Sequence, residues 1–167
     1  MLILAAAVML AATPTPPPVL IGGGVLPDDR AWSVTRPSRG AQAAVVRRAS
    51  TIPQRLRPWA ACVLARESGG TLDQPWSGAG SRNPSSSASG RWQLLDTAWR
   101  VNGGIDHIVA RRLTAFGMPR PQVRAVRQHL HATPIHRWPA PYQDAAFVQI
   151  VQEGGAHHWA GPGCGVP

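Results

Sequence analysis

Prolines and glycines cut the second half of this chain into short blocks, and that punctuation limits its fold more than any other feature. Pro58, Pro121 and Pro141 each open an apolar-patterned stretch, while Gly69-Gly70, Gly103-Gly104, Gly117 and Gly154-Gly155 each follow one. Proline suits the first turn of a helix, where its missing N–H is no loss, and glycine suits the left-handed residue just past a helix end. The block from Pro58 carries Trp59, Cys62, Val63 and Arg66. Trp92, Leu95, Ala98 and Trp99 keep i, i+3, i+6, i+7 spacing before Asn102-Gly103-Gly104, which predicts a second helix. Ile108, Val109, Leu113 and Phe116 predict a third, ended by Gly117 and Pro119. A fourth has Val123, Val126 and Leu130 on one face and is broken at Pro134; a fifth has Tyr142, Ala146, Phe147, Ile150 and Val151. No stretch alternates as a strand. The pattern predicts a small all-α domain of about five helices over residues 58–167.

What precedes that domain reads differently. Leu2–Ala12 is an uninterrupted apolar run, too short to span a bilayer and the right length for the core of a secretory signal, so residues 1–12 predict export. The alternative is an uncleaved apolar segment that anchors or docks the protein. Residues 13–57 are expected to be a Pro/Gly/Arg-rich linker or arm, because proline and glycine cluster there without sustained periodicity. Within it, Ala41–Ser50 can form a short helix with Val45 and Val46 inward.

Charge is the next constraint. The net charge is +9 and all 17 basic residues other than histidine are arginine, a lysine-free composition that points to a GC-rich genome. The charge divides almost evenly, +5 over residues 1–57 and +4 over 58–167, so no concentrated basic patch argues for nucleic acid. The six histidines show no HExxH pattern, and no metal or other cofactor is expected. Cys62 and Cys164 are the two cysteines. In an exported protein they read as one disulfide closing a loop of about a hundred residues, and in a reducing compartment as two buried thiols.

Only two glutamates occur, Glu67 and Glu153, and Glu67 stands at the end of the first predicted helix, ahead of a long polar loop. Two helices joined by such a loop form a cleft. At neutral pH a carboxyl donates a proton only if desolvation keeps it protonated, and an Glu67 lying between Trp59, Trp92 or Trp99 would be such a group. Asp73 and Asp96 are the candidates for a second carboxylate.

The order ARESGG at 65–70, then NPSSSASGRWQLLDTAW at 83–99, resembles the lysozyme-like superfamily of peptidoglycan-cleaving domains. In particular, it resembles actinobacterial transglycosylase-like domains related to resuscitation-promoting factors. The matching residues are Glu67-Ser68 and Ser87-Ala88-Ser89-Gly90-Arg91-Trp92-Gln93, and YQDAAFVQIVQEGGAHHWAGPGC resembles the family's closing helix, tryptophan and cysteine. The chain departs from the pattern in a longer loop over Thr71–Arg82 and in the pair Arg91-Trp92.

The resemblance implies a lysozyme-like fold with a cleft, and cleavage of the β-1,4 bond between N-acetylmuramic acid and N-acetylglucosamine. It implies Glu67 as the acid, and Gln93, Ser89, Trp92 and Tyr142 as substrate-binding residues. In glycosidases with two carboxylates their separation sets the stereochemistry. The resemblance implies a lytic transglycosylase or a lysozyme-type muramidase; with no convincing partner for Glu67, the transglycosylase route, in which one glutamate serves as acid and then base, is expected ahead of hydrolysis. The expected partner is the glycan strand, with no nucleic acid, no stable membrane anchor after signal cleavage, and a monomer unless built into a virion. The expected location is the cell wall or medium of a high-GC Gram-positive bacterium, or a phage particle of one. A non-catalytic wall-binding or virion structural protein of the same fold is the alternative.

Overall fold

The computed structural model describes residues 39–95 and 103–167. Five α-helices lie among them: α1 (Arg39–Ser50), α2 (Arg57–Ser68), α3 (Ile105–Ala115), α4 (Arg120–His131) and α5 (Ala140–Gln152). Short 3-10 turns occupy Gln54–Leu56, Ile135–Arg137 and Gly155–Trp159. Two strands, β1 (Ala88–Ser89) and β2 (Leu94–Leu95), pair antiparallel, Ala88 opposite Leu95 and Ser89 opposite Leu94. The domain is small and mostly helical.

The punctuation acts as the sequence predicts. Pro58, Pro121 and Pro141 sit in the first turns of α2, α4 and α5. Gly69 ends α2 at φ 67°, returning its N–H to Ala65 O, a left-handed cap that glycine adopts without steric penalty. Helix α5 is the centre of the packing, with α1 and α3 against it and α4 against α3. Its Ala140, Ala145, Ala146, Phe147, Val148 and Ile150 are buried, which leaves almost no solvent-facing stripe and marks a core helix. Phe147 stacks on Trp92 at 3.7 Å and on Trp59 at 5.7 Å, and meets the edge of Trp159 at 4.9 Å.

Three expectations need correction. The packing extends ahead of residue 58: Ala49, Ile52 and Leu56 are core residues, and Val45 and Val46 pack against them. Arg112, buried in α3, fastens α1 by donating to Ala49 O and reaches Gln152 Oε1 of α5 at 2.8 Å. Second, no helix starts at Trp92. The chain turns over Gly90 (φ 80°) and Gln93 (φ 48°) into a hairpin, and these left-handed residues are incompatible with a helix. Third, the expected all-α domain therefore contains this small sheet. Ala98, Trp99, Asp96 and Asn102 lie outside the described residues, as do the signal-like segment and the arm up to residue 38.

Cys62 of α2 and Cys164 of the C-terminal tail form a disulfide with Cα atoms 5.6 Å apart, closing a separation of 102 residues. Trp59 Nε1 donates to Gly165 O at 3.1 Å and holds the same tail. Among the described residues no helix is long and apolar enough to cross a membrane.

Candidate active site

Glu67 is in the last turn of α2 with its side chain 24 % exposed. Its Oε1 accepts two hydrogen bonds from Arg66, from Nε at 3.0 Å and Nη2 at 2.7 Å. The same Nη2 donates to Trp159 O at 2.7 Å, so Arg66 bridges the end of α2 to the C-terminal turn. Glu67 Oε2 accepts no hydrogen bond from a described residue. The expected wall of indoles is a different arrangement here, because Trp59 and Trp92 are committed to the stack with Phe147 inside the core. The group in hydrogen-bond contact with Glu67 is an arginine.

Every aspartate and glutamate among the described residues pairs with an arginine. Asp73 is 93 % exposed and 3.7 Å from Arg57, a loop charge and no partner for Glu67. Asp106 pairs with Arg127 and Glu153 with Arg111. Glu67 keeps one oxygen without a hydrogen bond from a described residue, as Asp106 and Asp144 do, and of the three its side chain is the most exposed.

The loop from Thr71 to Arg82 folds back over the end of α2. Gly78 lies against Ser68 so closely that a Cβ there would stand 2.2 Å from Ser68 Oγ. Ser77 Oγ accepts from Thr71 N–H at 2.7 Å and donates to Gln74 O at 2.8 Å. The anchor is Arg91, only 1 % exposed. Its Nη1 donates to the carbonyls of Gln74, Pro75 and Ser77 at 3.1, 2.8 and 2.6 Å, and its Nε to Asp144 Oδ1 at 3.0 Å. Arg91 and the loop are thus one feature: the loop turns several backbone carbonyls inward, and a guanidinium, with its five donors, satisfies them.

The hairpin turn reaches this loop through Gln93, whose Nε2 donates to Gly90 O at 3.1 Å and Ser81 Oγ at 3.4 Å. Ser81 N–H in turn donates to Gly78 O at 3.1 Å. Glu67-Ser68 and Gln93, the two halves of the motif, are joined across the loop by these contacts. Gln93 holds a left-handed backbone that a non-glycine residue adopts at a cost of about 1–3 kcal/mol, of the kind found where a side chain must be aimed.

Of the remaining predicted site residues, Ser89 stays on this seam through its backbone bridge to Arg82. Trp92 is fully buried, with Nε1 donating to Asp144 Oδ1 at 2.8 Å, so its ring faces Phe147 and no substrate; the substrate-binding expectation is corrected. Ser89 is buried in β1 and caps no helix. Tyr142 lies half-buried in the first turn of α5; burial pushes its phenol up to about 12, and its hydroxyl makes no hydrogen bond among the described residues.

Two residues that the sequence reading passed over organise this region. Asp144, largely buried, has its carboxyl raised above the usual range by desolvation, against the opposing pull of Arg91 and the Trp92 indole. Gln143 is wholly buried: its Oε1 accepts Arg91 N–H at 2.7 Å, and its Nε2 donates to Trp138 O at 2.8 Å. Gly90 needs its missing Cβ here, since one would stand 2.3 Å from Gln143 Oε1. A polar residue at the i+3 position between Ala140 and Phe147, on an otherwise apolar helix face, was the available signal.

Elsewhere, a cavity of about 240 Å³ is lined by Gly103, Gly104, Asp106, Arg127, Leu130, His131 and Trp138, without Glu67. Among the described residues no group of three histidine, cysteine or acidic side chains is placed to hold a metal ion.

No protein-family model matches the chain, and no curated protein or solved structure matches it.

Proposed function

We propose that the domain cleaves peptidoglycan glycan strands at the β-1,4 bond between N-acetylmuramic acid and N-acetylglucosamine, with Glu67 as the proton-transferring group. The observation that carries this reading is the open Oε2 of Glu67, next in the chain to Ser68, on which Gly78 of the loop that Gln93 joins at Ser81 rests. Cleavage needs a proton on the leaving oxygen as an oxocarbenium-like centre forms at the sugar. Oε2 is the oxygen able to deliver it, and Arg66 on Oε1 must loosen as the protonated form is reached, keeping Trp159 O as its other acceptor. Gln93 Oε1 is an acceptor for an N-acetyl N–H or a sugar hydroxyl. The route proposed uses one carboxylate: Glu67 then takes the proton from the muramoyl C6 hydroxyl as that oxygen attacks, leaving a 1,6-anhydro end.

The apolar residues 2–12 and the Cys62–Cys164 disulfide support export to an oxidising compartment. The reading calls for no cofactor, no nucleic acid and a monomeric protein in the cell wall or on a phage particle. The second reading, a wall-binding or virion protein that does not turn over, is favoured by the Arg66–Glu67 pair, in which two guanidinium donors already occupy Oε1. Solubilisation of purified peptidoglycan by the parent and by Glu67→Gln separates the two. Release by the parent alone is expected; equal release by both removes Glu67 from the reaction.

A further inference from the structure

Among the described tryptophans, Trp59, Trp92, Trp138 and Trp159 are at most 7 % exposed, whereas Trp76 is 58 % exposed. It is the large ring of its loop that stays in water, while Leu72 of the same loop packs on the core. Trp76 is also held in place. The carbonyls on either side of it, Pro75 O and Ser77 O, are both hydrogen-bonded to Nη1 of the buried Arg91, at 2.8 and 2.6 Å. Ser77 Oγ ties the same turn to Thr71 and Gln74. Immediately after it, Gly78 rests on Ser68, the neighbour of Glu67.

We infer that Trp76 is a stacking platform for a sugar ring, one glycan subsite carried by the long Thr71–Arg82 loop beside the glutamate. The inference rests on the glycan-cleaving reading for the identity of its ligand. The chemistry is general: a pyranose presents a face of C–H bonds to the negative face of an aromatic ring, and the indole N–H remains free for a hydroxyl. Fixing the loop beforehand through Arg91 removes the ordering penalty that a mobile loop would pay on binding. The long loop and the buried arginine then have a common purpose, which is to hold one ring still at the edge of the site.

The test uses the full chain carrying Glu67→Gln, so that nothing is cut, and the tetramer of β-1,4-linked N-acetylglucosamine as the probe. Tryptophan fluorescence follows the titration, with and without Trp76→Ala. The alanine change is expected to weaken binding about tenfold and to abolish the emission shift, and Trp76→Phe to recover most of the affinity. The melting temperature should be unchanged, as the ring lies outside the core. Equal affinity with and without the indole would overturn the inference, as would a concentration-dependent dimer that Trp76→Ala dissolves, since the ring would then be covered by a second copy. A parent that binds the tetramer through Trp76 yet releases nothing from peptidoglycan would refute cleavage and leave this inference standing. A parent that cleaves with the same KM as its Trp76→Ala variant would do the reverse.

Discussion

Arg91→Met is the most informative single perturbation of this fold. It keeps an unbranched apolar stem of similar length and removes the guanidinium that serves Asp144 and the carbonyls of Gln74, Pro75 and Ser77. The pair is buried, with side-chain exposures of 1 % for Arg91 and 14 % for Asp144. Removing one partner of such a pair leaves an uncompensated charge and costs about 3–5 kcal/mol. The loop carbonyls add less, because Thr71, Gln74 and Pro75 are exposed residues whose oxygens can turn to water. For a domain of this size a loss of that order lowers Tm by about 10–20 °C. Urea unfolding, followed by tryptophan fluorescence, gives the free energy through the midpoint and slope. Arg91→Lys should fall between, as an ammonium can pair with Asp144 but cannot fork to several carbonyls. Adding Asp144→Leu to Arg91→Met should restore part of the loss, since the stranded charge is gone. Hydrogen exchange should quicken in the loop 71–78 of Arg91→Met while the amides of α5 keep their rank. A variant within about 1 kcal/mol of the parent, with an unchanged loop, would refute the idea that Arg91 organises this region.

Two further outcomes follow from the structure. Tyr142 is the only tyrosine, so absorbance near 295 nm reports one phenol; it should titrate near 12, not 10, in the folded protein. Because its folded pKa is raised, the stability linked to it is fully present below pH 10 and is lost as pH climbs from 10 towards 12, and a midpoint near 10 in the native state would contradict its burial. Cys164→Ser should lower stability by up to about 4–5 kcal/mol on the chain-entropy model for a loop of this length, and equal melting of variant and oxidised parent would mean that the Cys62–Cys164 bond does not constrain the unfolded chain.

Helices α2 to α5 were legible because proline and glycine mark their ends, and these signals act through local backbone sterics that need no tertiary context. The hairpin was not. Trp92 and Leu95 keep a helical spacing by coincidence, and what decides their conformation is non-local: Gly90 against Gln143, and the Trp92 indole on Asp144. Helix α1 was underrated because its contribution comes from small side chains and from Ile52 and Leu56 beyond its end, which carry little periodic signal. Around the candidate residues Glu67 and Gln93, the sequence misjudged the surroundings. It assigned Trp92 to substrate because an aromatic in a motif looks available, yet the ring completes the core stack on Phe147. Arg66 beside Glu67 in the chain gave no warning, since neighbouring helix residues do not usually face each other. Here the last turn of α2, with Arg66 drawn toward Trp159 O, brings them together.

The central claim, that Glu67 moves the proton that parts two sugars, is met most directly by mass spectrometry of what the protein releases from purified peptidoglycan. The account predicts muropeptides ending in 1,6-anhydro-N-acetylmuramic acid from the parent and none from Glu67→Gln of equal stability. The same products at the same rate from both proteins would contradict it.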